Sequence, residues 1–131
     1  MGVAIAERQA LFRDFARAFF KEDLDALYRV VSEDFVWHTP PVTPGAPSRA
    51  LRGRAQIAAY FAERRALYRS VRFEEVVYHH ASEASFMSFR MVTVLRADDS
   101  ERQASGVERY LFKDGKLALK DVYLKPLAVD A

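Results

Sequence analysis

The hydrophobic positions follow a helical period in the first half of the chain and a strand period in the second half. Over residues 6–20, apolar side chains recur every three or four residues, and charged side chains such as Arg8 fill the opposite side. Asp23 suits the N-cap of a second, short helix, and Gly53 precedes a third helix over residues 54–68. The pattern therefore predicts three helices ahead of the main sheet.

Strand-like patterns lie at residues 33–39 and throughout the chain from Val71 onward. Turn signals at 81–83, 98–100 and 113–115 divide the second region into four strands of about eight to twelve residues. Such short connections predict an antiparallel meander. Helices followed by strands are typical of an α+β fold.

Both faces of the predicted meander are apolar. In one strand, Phe86, Val92 and Val94 alternate with Met87, Phe89, Met91 and Leu95. Because the helices of a small domain cover only one face of its sheet, we expect the other face to meet a second sheet in a homodimer. The alternative is a sheet curled enough to cover itself.

Length and composition fit one domain over residues 1–131. Half of the residues are hydrophobic, 29% are charged, and the absence of cysteine excludes disulfides and thiol chemistry. The first residues lack the apolar stretch of a secretion signal, and no run of about 18 apolar residues occurs anywhere. A cytoplasmic protein with no membrane partner is therefore expected.

The charges do not indicate a nucleic-acid partner. The net charge is +2, although residues 49–72 carry seven arginines and a single glutamate. No nucleic-acid-binding motif or interleaved exposed aromatic residue accompanies these arginines. We interpret them as the solvated face and ends of the third helix, and we expect no nucleic acid as a partner.

Four local motifs resemble one known superfamily. They are KEDLDAL at residues 21–27, SEDFVWHTP at 32–40, LRGR at 51–54 followed by Ile57, and FKDGKL at 112–117. Together with the element order, they make nearly the whole chain similar to the SnoaL-like and nuclear transport factor two-like superfamily, which includes ketosteroid isomerase and limonene epoxide hydrolase. The resemblance implies a cone-shaped α+β barrel, with three N-terminal helices on a curved, mostly antiparallel sheet that encloses an apolar pocket.

The resemblance implies function only coarsely, because this fold serves enzymes and binding modules alike. The isomerase's catalytic aspartate falls on Thr39 and its oxyanion-hole tyrosine on Phe15, and neither side chain supplies that chemistry. Its second carboxylic acid corresponds to Glu108. We expect a SnoaL-like protein that binds a small hydrophobic molecule, as an acid–base enzyme of isomerase, cyclase, dehydratase or hydrolase type. The alternative is a non-catalytic ligand-binding or dimerisation module.

Charge pairing predicts a polar row across three strands. A two-residue turn in the last hairpin would place like charges opposite each other, so a three-residue loop at 113–115 is preferred, which pairs Glu108 with Lys120. A bulge at residues 105–106 would then bring Arg90 opposite Glu108.

If this row faces the helices, Glu108 is a candidate base or ligand anchor. Arg90 and Lys120 would then bind an anionic group or a developing enolate. If the row lies on the outer face, Arg109 and Asp121 are the inward polar residues instead.

His38 is a second candidate for acid–base catalysis, because it titrates near neutral pH and lies at the end of the first strand. Strand alternation opposes this role, since Trp37 and Thr39 would then face inward and His38 outward. The side chains expected to line the pocket and contact an apolar ligand are Trp37, Thr39, Tyr60, Phe86 and Tyr110.

We expect no metal and no cofactor. His79 and His80 are adjacent on a strand and point to opposite faces, so they cannot chelate one metal ion together. The chain also lacks an HExxH motif, a glycine-rich phosphate loop and a dinucleotide fingerprint.

Four of the five prolines lie within residues 40–47. Because proline removes amide donors and restricts φ, this segment can enter neither helix nor sheet. We expect it to form a stiff rim or lid over the mouth of the pocket.

Overall fold

The computed structural model describes residues 2–41 and 46–128, which form three helices and six strands. The helices are α1 (Ile5–Lys21), α2 (Leu24–Val30) and α3 (Arg54–Leu67). The strands are β1 (Val31–Thr39), β2 (Arg49–Arg52), β3 (Tyr68–His80), β4 (Ala84–Leu95), β5 (Glu101–Lys113) and β6 (Lys116–Pro126). The sequence pattern did not predict β2, because four residues between a proline-rich segment and a helix are too few to show a strand period.

The strands form one curved sheet in the order β2-β1-β6-β5-β4-β3. Strands β3 to β6 make the expected antiparallel meander, while β6 also pairs in parallel with β1. The sheet does not close, because β2 and β3 remain its two edges. The α+β fold class and the mostly antiparallel sheet are thus confirmed.

The core lies between the three helices and the inner face of the sheet. Asp23 caps α2 as predicted, since its carboxylate accepts a hydrogen bond of 3.1 Å from the Ala26 amide. The largest buried side chains include Phe12, Phe15 and Phe19 from α1, Leu27 from α2, Ile57 and Phe61 from α3, and Phe35 from β1. Within residues 2–41 and 46–128, no helix is long and apolar enough to cross a membrane.

Arg8 is buried, so its expected place on the solvated side of α1 is wrong. Its guanidinium donates to the backbone oxygens of Ala81, Ser82 and Ala84 and to the Ser85 hydroxyl. These bonds fasten the first turn of α1 to the turn between β3 and β4. Helical periodicity could not reveal this contact, because the acceptors lie more than seventy residues further along the chain.

The last hairpin has a two-residue turn, which corrects the predicted three-residue loop. Asp114 and Gly115 both adopt left-handed φ values, 51° and 75°, as a type I′ turn requires. A register shift follows between the pairs Leu111–Leu119 and Phe112–Leu117, so that β6 contains one extra residue, Ala118.

This bulge has the electrostatic effect that the longer loop was expected to have. Beyond it, Arg109 faces Asp121 and Glu108 faces Val122, so like charges are kept apart. The remaining like pair, Lys113 and Lys116, lies at the exposed end of the hairpin, where Lys113 bonds Asp34 at 2.7 Å. Register arguments from charge alone could not distinguish a bulge at the turn from a bulge within the strand.

Candidate functional site

A buried cluster of ionisable side chains lies on the inner face of β5 and β6. Glu108 and Lys120 are only 3% and 4% exposed. The Lys120 Nζ atom lies 3.4 Å from Glu108 Oε1, and the Tyr110 hydroxyl donates a hydrogen bond to the same oxygen. One carboxylate oxygen therefore contacts both an ammonium group and a phenol.

Strand alternation and the β6 bulge bring these three side chains together. Along β5, Glu108 and Tyr110 are buried while Val107 between Gly106 and Glu108 is exposed, as expected for a sheet covered on one face. The bulge in β6 sets Lys120 opposite Tyr110, and the parallel pairing with β1 sets it beside Trp37. Without the bulge, Lys120 would face outward.

Aromatic rings surround the Lys120 ammonium. The centroids of the Phe15, Phe19 and Trp37 rings lie 4.7, 4.6 and 4.7 Å from Nζ, within the range of a cation–π interaction. Burial lowers the pKa of Lys120, and the nearby Arg64 lowers it further, whereas Glu108 favours the charged form. The rings and Glu108 thus replace part of the hydration that the ammonium loses.

The Tyr110 phenol is held in its neutral form. Burial raises the pKa of Tyr110 well above its ordinary range, and the negative charge of Glu108 acts in the same direction. A neutral phenol remains a hydrogen-bond donor at any pH near neutrality.

The cluster lines an apolar cavity of about 220 Å³, which we call the main chamber. Its other walls come from α1, through Phe12, Phe15 and Phe19, and from β3, through Phe73 and Tyr78. A mostly apolar cavity with a few converging polar groups is typical of a small-molecule site.

A smaller cavity of about 60 Å³, the side chamber, lies towards α3 and β1. Phe19, Phe73, Glu108 and Lys120 line both chambers. The residues that line only the side chamber include Trp37, Pro40, Tyr60, Arg64 and Tyr68. The side chamber is therefore richer in hydrogen-bond donors than the main chamber.

Five of the predicted site residues line these chambers. Glu108, Tyr110 and Lys120 line the main chamber, and Trp37 and Tyr60 line the side chamber.

Thr39 also faces inward and is fully buried. Its hydroxyl, however, lies 3.5 Å from the backbone oxygen of Arg49, so it contacts β2 and lines neither chamber.

Three predicted site residues lie on the outer face, away from the chambers. Arg90 faces Ser105 and not Glu108, because β4 and β5 pair without a bulge at this point. Its guanidinium binds Glu74 at 2.8 Å and Glu75 at 3.4 Å instead. The predicted row of Arg90, Glu108 and Lys120 is therefore wrong for Arg90, which lies on the opposite face of the sheet from the other two residues.

Strand alternation explains why the other two predicted site residues, His38 and Phe86, also face outward. His38 is the register partner of Asp121, and both residues flank the inward pair of Trp37 and Lys120, so His38 points away from the cluster. Phe86 likewise precedes the inward Met87 and is paired with the outward Arg109.

Sequence reasoning missed Arg64 and two aromatic residues of β3, Phe73 and Tyr78. Arg64 follows Tyr60 and Phe61 at helical spacing, so a signal for an inward position was present, but its charge favoured the solvated interpretation. In β3, a register shift between Glu74 and Val77 breaks the strand period.

Two further predictions concern metal ions and the proline-rich segment. Within residues 2–41 and 46–128, no three histidine or carboxylate side chains are grouped so that they could hold a metal ion. Pro40 lines the side chamber, but residues 42–45 lie outside the described residues, so the lid stays a prediction.

Comparisons with known proteins agree with this architecture. The family described as SnoaL-like domain matches residues 12–119. No curated protein matches the chain.

Solved structures are similar over most of their length. An NTF2-like protein from Burkholderia xenovorans has a TM-score of 0.80 and 19% identity, covering 95% of this chain and 93% of that one. A proposed polyketide cyclase from Pseudomonas putida has a TM-score of 0.65 and 20% identity, covering 86% and 87%. A protein with a ketosteroid isomerase-like fold from Catenulispora acidiphila, in complex with trimethylamine, has a TM-score of 0.70 and 12% identity, covering 86% and 83%. At these identities the similarity shows the fold alone.

The raised pKa of Tyr110 predicts how stability depends on alkaline pH. Above about pH 10 the unfolded chain releases the Tyr110 proton while the folded chain keeps it, so the free energy of unfolding falls as pH rises. In Tyr110→Phe the total fall between about pH 9 and pH 11 should be smaller by about 1.4 kcal/mol, with the slopes differing most above about pH 10. Urea unfolding between about pH 9 and pH 11 measures it. Parallel curves for the two proteins would show that Tyr110 ionises equally in both states.

Proposed function

The chain belongs to the SnoaL-like domain family, and from this premise we propose that it is an acid–base enzyme for a small hydrophobic carbonyl compound. The observation that carries the proposal is the contact of Glu108 with both Tyr110 and Lys120 inside an otherwise apolar cavity. Buried ionisable groups are costly, and they concentrate at functional sites.

The roles follow from the chemistry of each group. Glu108 is the base that removes a proton next to the substrate carbonyl, since both of its described contacts are to Oε1 and leave Oε2 to accept it. Lys120, whose ammonium has three N–H groups, is the donor that stabilises the negative charge developing on the carbonyl oxygen. The single O–H of Tyr110 is donated to Glu108 Oε1 and holds the base in place. Where the enolate is conjugated with a C=C bond, return of the proton from Glu108 to the far carbon completes an isomerisation. Where the enolate attacks a second carbonyl, return of the proton to the resulting alkoxide oxygen completes a cyclisation.

The names of similar proteins support this reaction class without fixing a substrate. One similar structure is that of a proposed polyketide cyclase, and cyclisation by aldol-type attack begins with the same proton removal. No cofactor is needed for such a step.

A non-catalytic ligand-binding module is the second candidate. It is favoured by the fact that Glu108, Tyr110 and Lys120 already bind one another. In that case the cluster would anchor the polar end of a ligand without transferring a proton.

Proton exchange on 2-tetralone, a flat apolar ketone with acidic α-protons, distinguishes the two candidates. We expect the wild-type protein to accelerate deuterium incorporation in D₂O, followed by proton NMR. Glu108→Gln should lower the rate by about 10²-fold or more, the usual contribution of a general base. Glu83→Gln, at an exposed position, is the control and should retain the wild-type rate.

Two outcomes of this experiment would contradict the proposed acid–base mechanism. Binding of 2-tetralone without exchange would favour the non-catalytic module. Exchange that survives in Glu108→Gln would remove Glu108 from the mechanism.

We also propose a homodimer through the outer face of the sheet. Val77, Val107 and Tyr123 lie in one row across the strands of this face and are 50%, 41% and 58% exposed. The ion pair of Arg90 with Glu74 and that of Arg109 with Asp121 lie on either side of the row. Because both signs of charge flank an apolar centre, a second copy related by a two-fold axis can match it.

A cytoplasmic location stays a prediction.

Sedimentation velocity tests the dimer. Wild-type protein at micromolar concentration should sediment with the mass of two chains, and Val107→Lys should sediment as a monomer, because it places a charge in the apolar row. Arg17→Glu, on the exposed side of α1, should remain dimeric. A monomeric wild-type protein would contradict the proposal.

A further inference from the structure

We infer that the side chamber is a carboxylate-binding subsite, so that the ligand is an apolar molecule carrying one carboxylate. The inference rests on the proposed function, since it assigns the apolar body of that ligand to the main chamber. The ring of Phe19 and the ring of Phe73, which line both chambers, would contact the ligand where it passes from one to the other.

Arg64 supplies the first argument. It lines the side chamber from α3, with its guanidinium carbon 4.5 Å from the centre of the Phe19 ring. Among residues 2–41 and 46–128, no carboxylate forms an ion pair with it, whereas its neighbour Arg65 is bound to Glu22. An arginine with a free guanidinium beside a cavity is the usual partner for a carboxylate, because its planar N–H groups match the two oxygens.

Trp37 supplies an independent argument. Its side chain is only 2% exposed and lines the side chamber. Its indole Nε1 is buried and has no hydrogen-bond partner in the part of the chain that the structure describes. A buried donor without an acceptor is costly, and a ligand oxygen in the side chamber would satisfy it.

The charges around the side chamber also favour a monoanion. Lys120 and Arg64 carry two positive charges, and Glu108 carries one negative charge. Arg49, which is close to Tyr60, is already neutralised by Glu63 at 2.7 Å. One uncompensated positive charge therefore remains, and the repulsion between Lys120 and Arg64 would be relieved by a bound carboxylate.

The size of the side chamber limits the group to a few atoms. Its volume of about 60 Å³ is roughly that of two water molecules in the liquid. A carboxylate fits such a space, and the larger ring system of the ligand must remain in the main chamber.

A pair of matched ligands tests the inference by calorimetric titration. The probes are 2-naphthoate and 2-acetylnaphthalene, which share one ring system and differ in the charge of the group attached to it. We expect the wild-type protein to bind the carboxylate at least tenfold more tightly than the ketone. Arg64→Met should abolish this preference, because it should lower affinity for the carboxylate at least tenfold more than affinity for the ketone.

Two further variants make the test specific. Arg65→Met removes the neighbouring arginine of α3 and should keep the preference. Trp37→Phe retains an aromatic ring beside Lys120 but removes the indole N–H, and it should reduce affinity for the carboxylate more than for the ketone.

The outcomes separate this inference from the proposed function. Equal affinity for the two probes, or a preference that survives in Arg64→Met, would overturn the carboxylate subsite and leave the apolar ligand site standing. Failure of both probes to bind would overturn the apolar ligand site itself, and the inference with it.

Discussion

The contact between Glu108 and Lys120 is the constraint on which the rest of the site depends. Two charges taken out of water lose hydration free energy that their mutual attraction repays only in part. Here the Lys120 ammonium makes cation–π contacts with three aromatic rings, and Glu108 accepts a hydrogen bond from the Tyr110 hydroxyl. The pair is thus well supported, yet two apolar side chains of similar volume would fill the same place at no electrostatic cost. Such a pair is weak evidence for a role in stability, and for this reason we propose that it acts in ligand chemistry.

Backbone features of the sheet allow the pair to form. The bulge at Ala118 turns Lys120 inward, and it also separates the like charges of the last hairpin. On β5, Gly106 leaves room for the Phe89 ring, which a Cβ atom at that position would displace. The cluster is therefore held on two neighbouring strands, while α1 supplies an apolar wall of the main chamber. Sites built on strands hold their side chains more precisely than sites built on loops.

Much of the fold could be predicted from the sequence, because periodicity and turn signals act over short distances. The three helices, the meander and the SnoaL-like resemblance were confirmed, and Glu108, Tyr110 and Lys120 do line a cavity. The predicted strand registers were wrong where a bulge, by adding one residue, moves every later side chain of the strand to the opposite face of the sheet. Charge pairing was the right criterion for the last hairpin, but it could not locate the bulge, and Arg90 was assigned to the wrong face. Arg64 was missed because a charged residue at a helix end is usually solvated.

The most direct measurement compares catalysis of proton exchange with stability in the double variant Glu108→Leu/Lys120→Met. Replacing a buried ion pair by apolar side chains is often neutral or stabilising. Because the variant also leaves the buried Tyr110 hydroxyl without its acceptor, the account predicts a free energy of unfolding lowered by no more than about 1–3 kcal/mol, together with loss of 2-tetralone proton exchange. A double variant that is strongly destabilised but still catalyses exchange would show that the pair serves the fold and not the ligand.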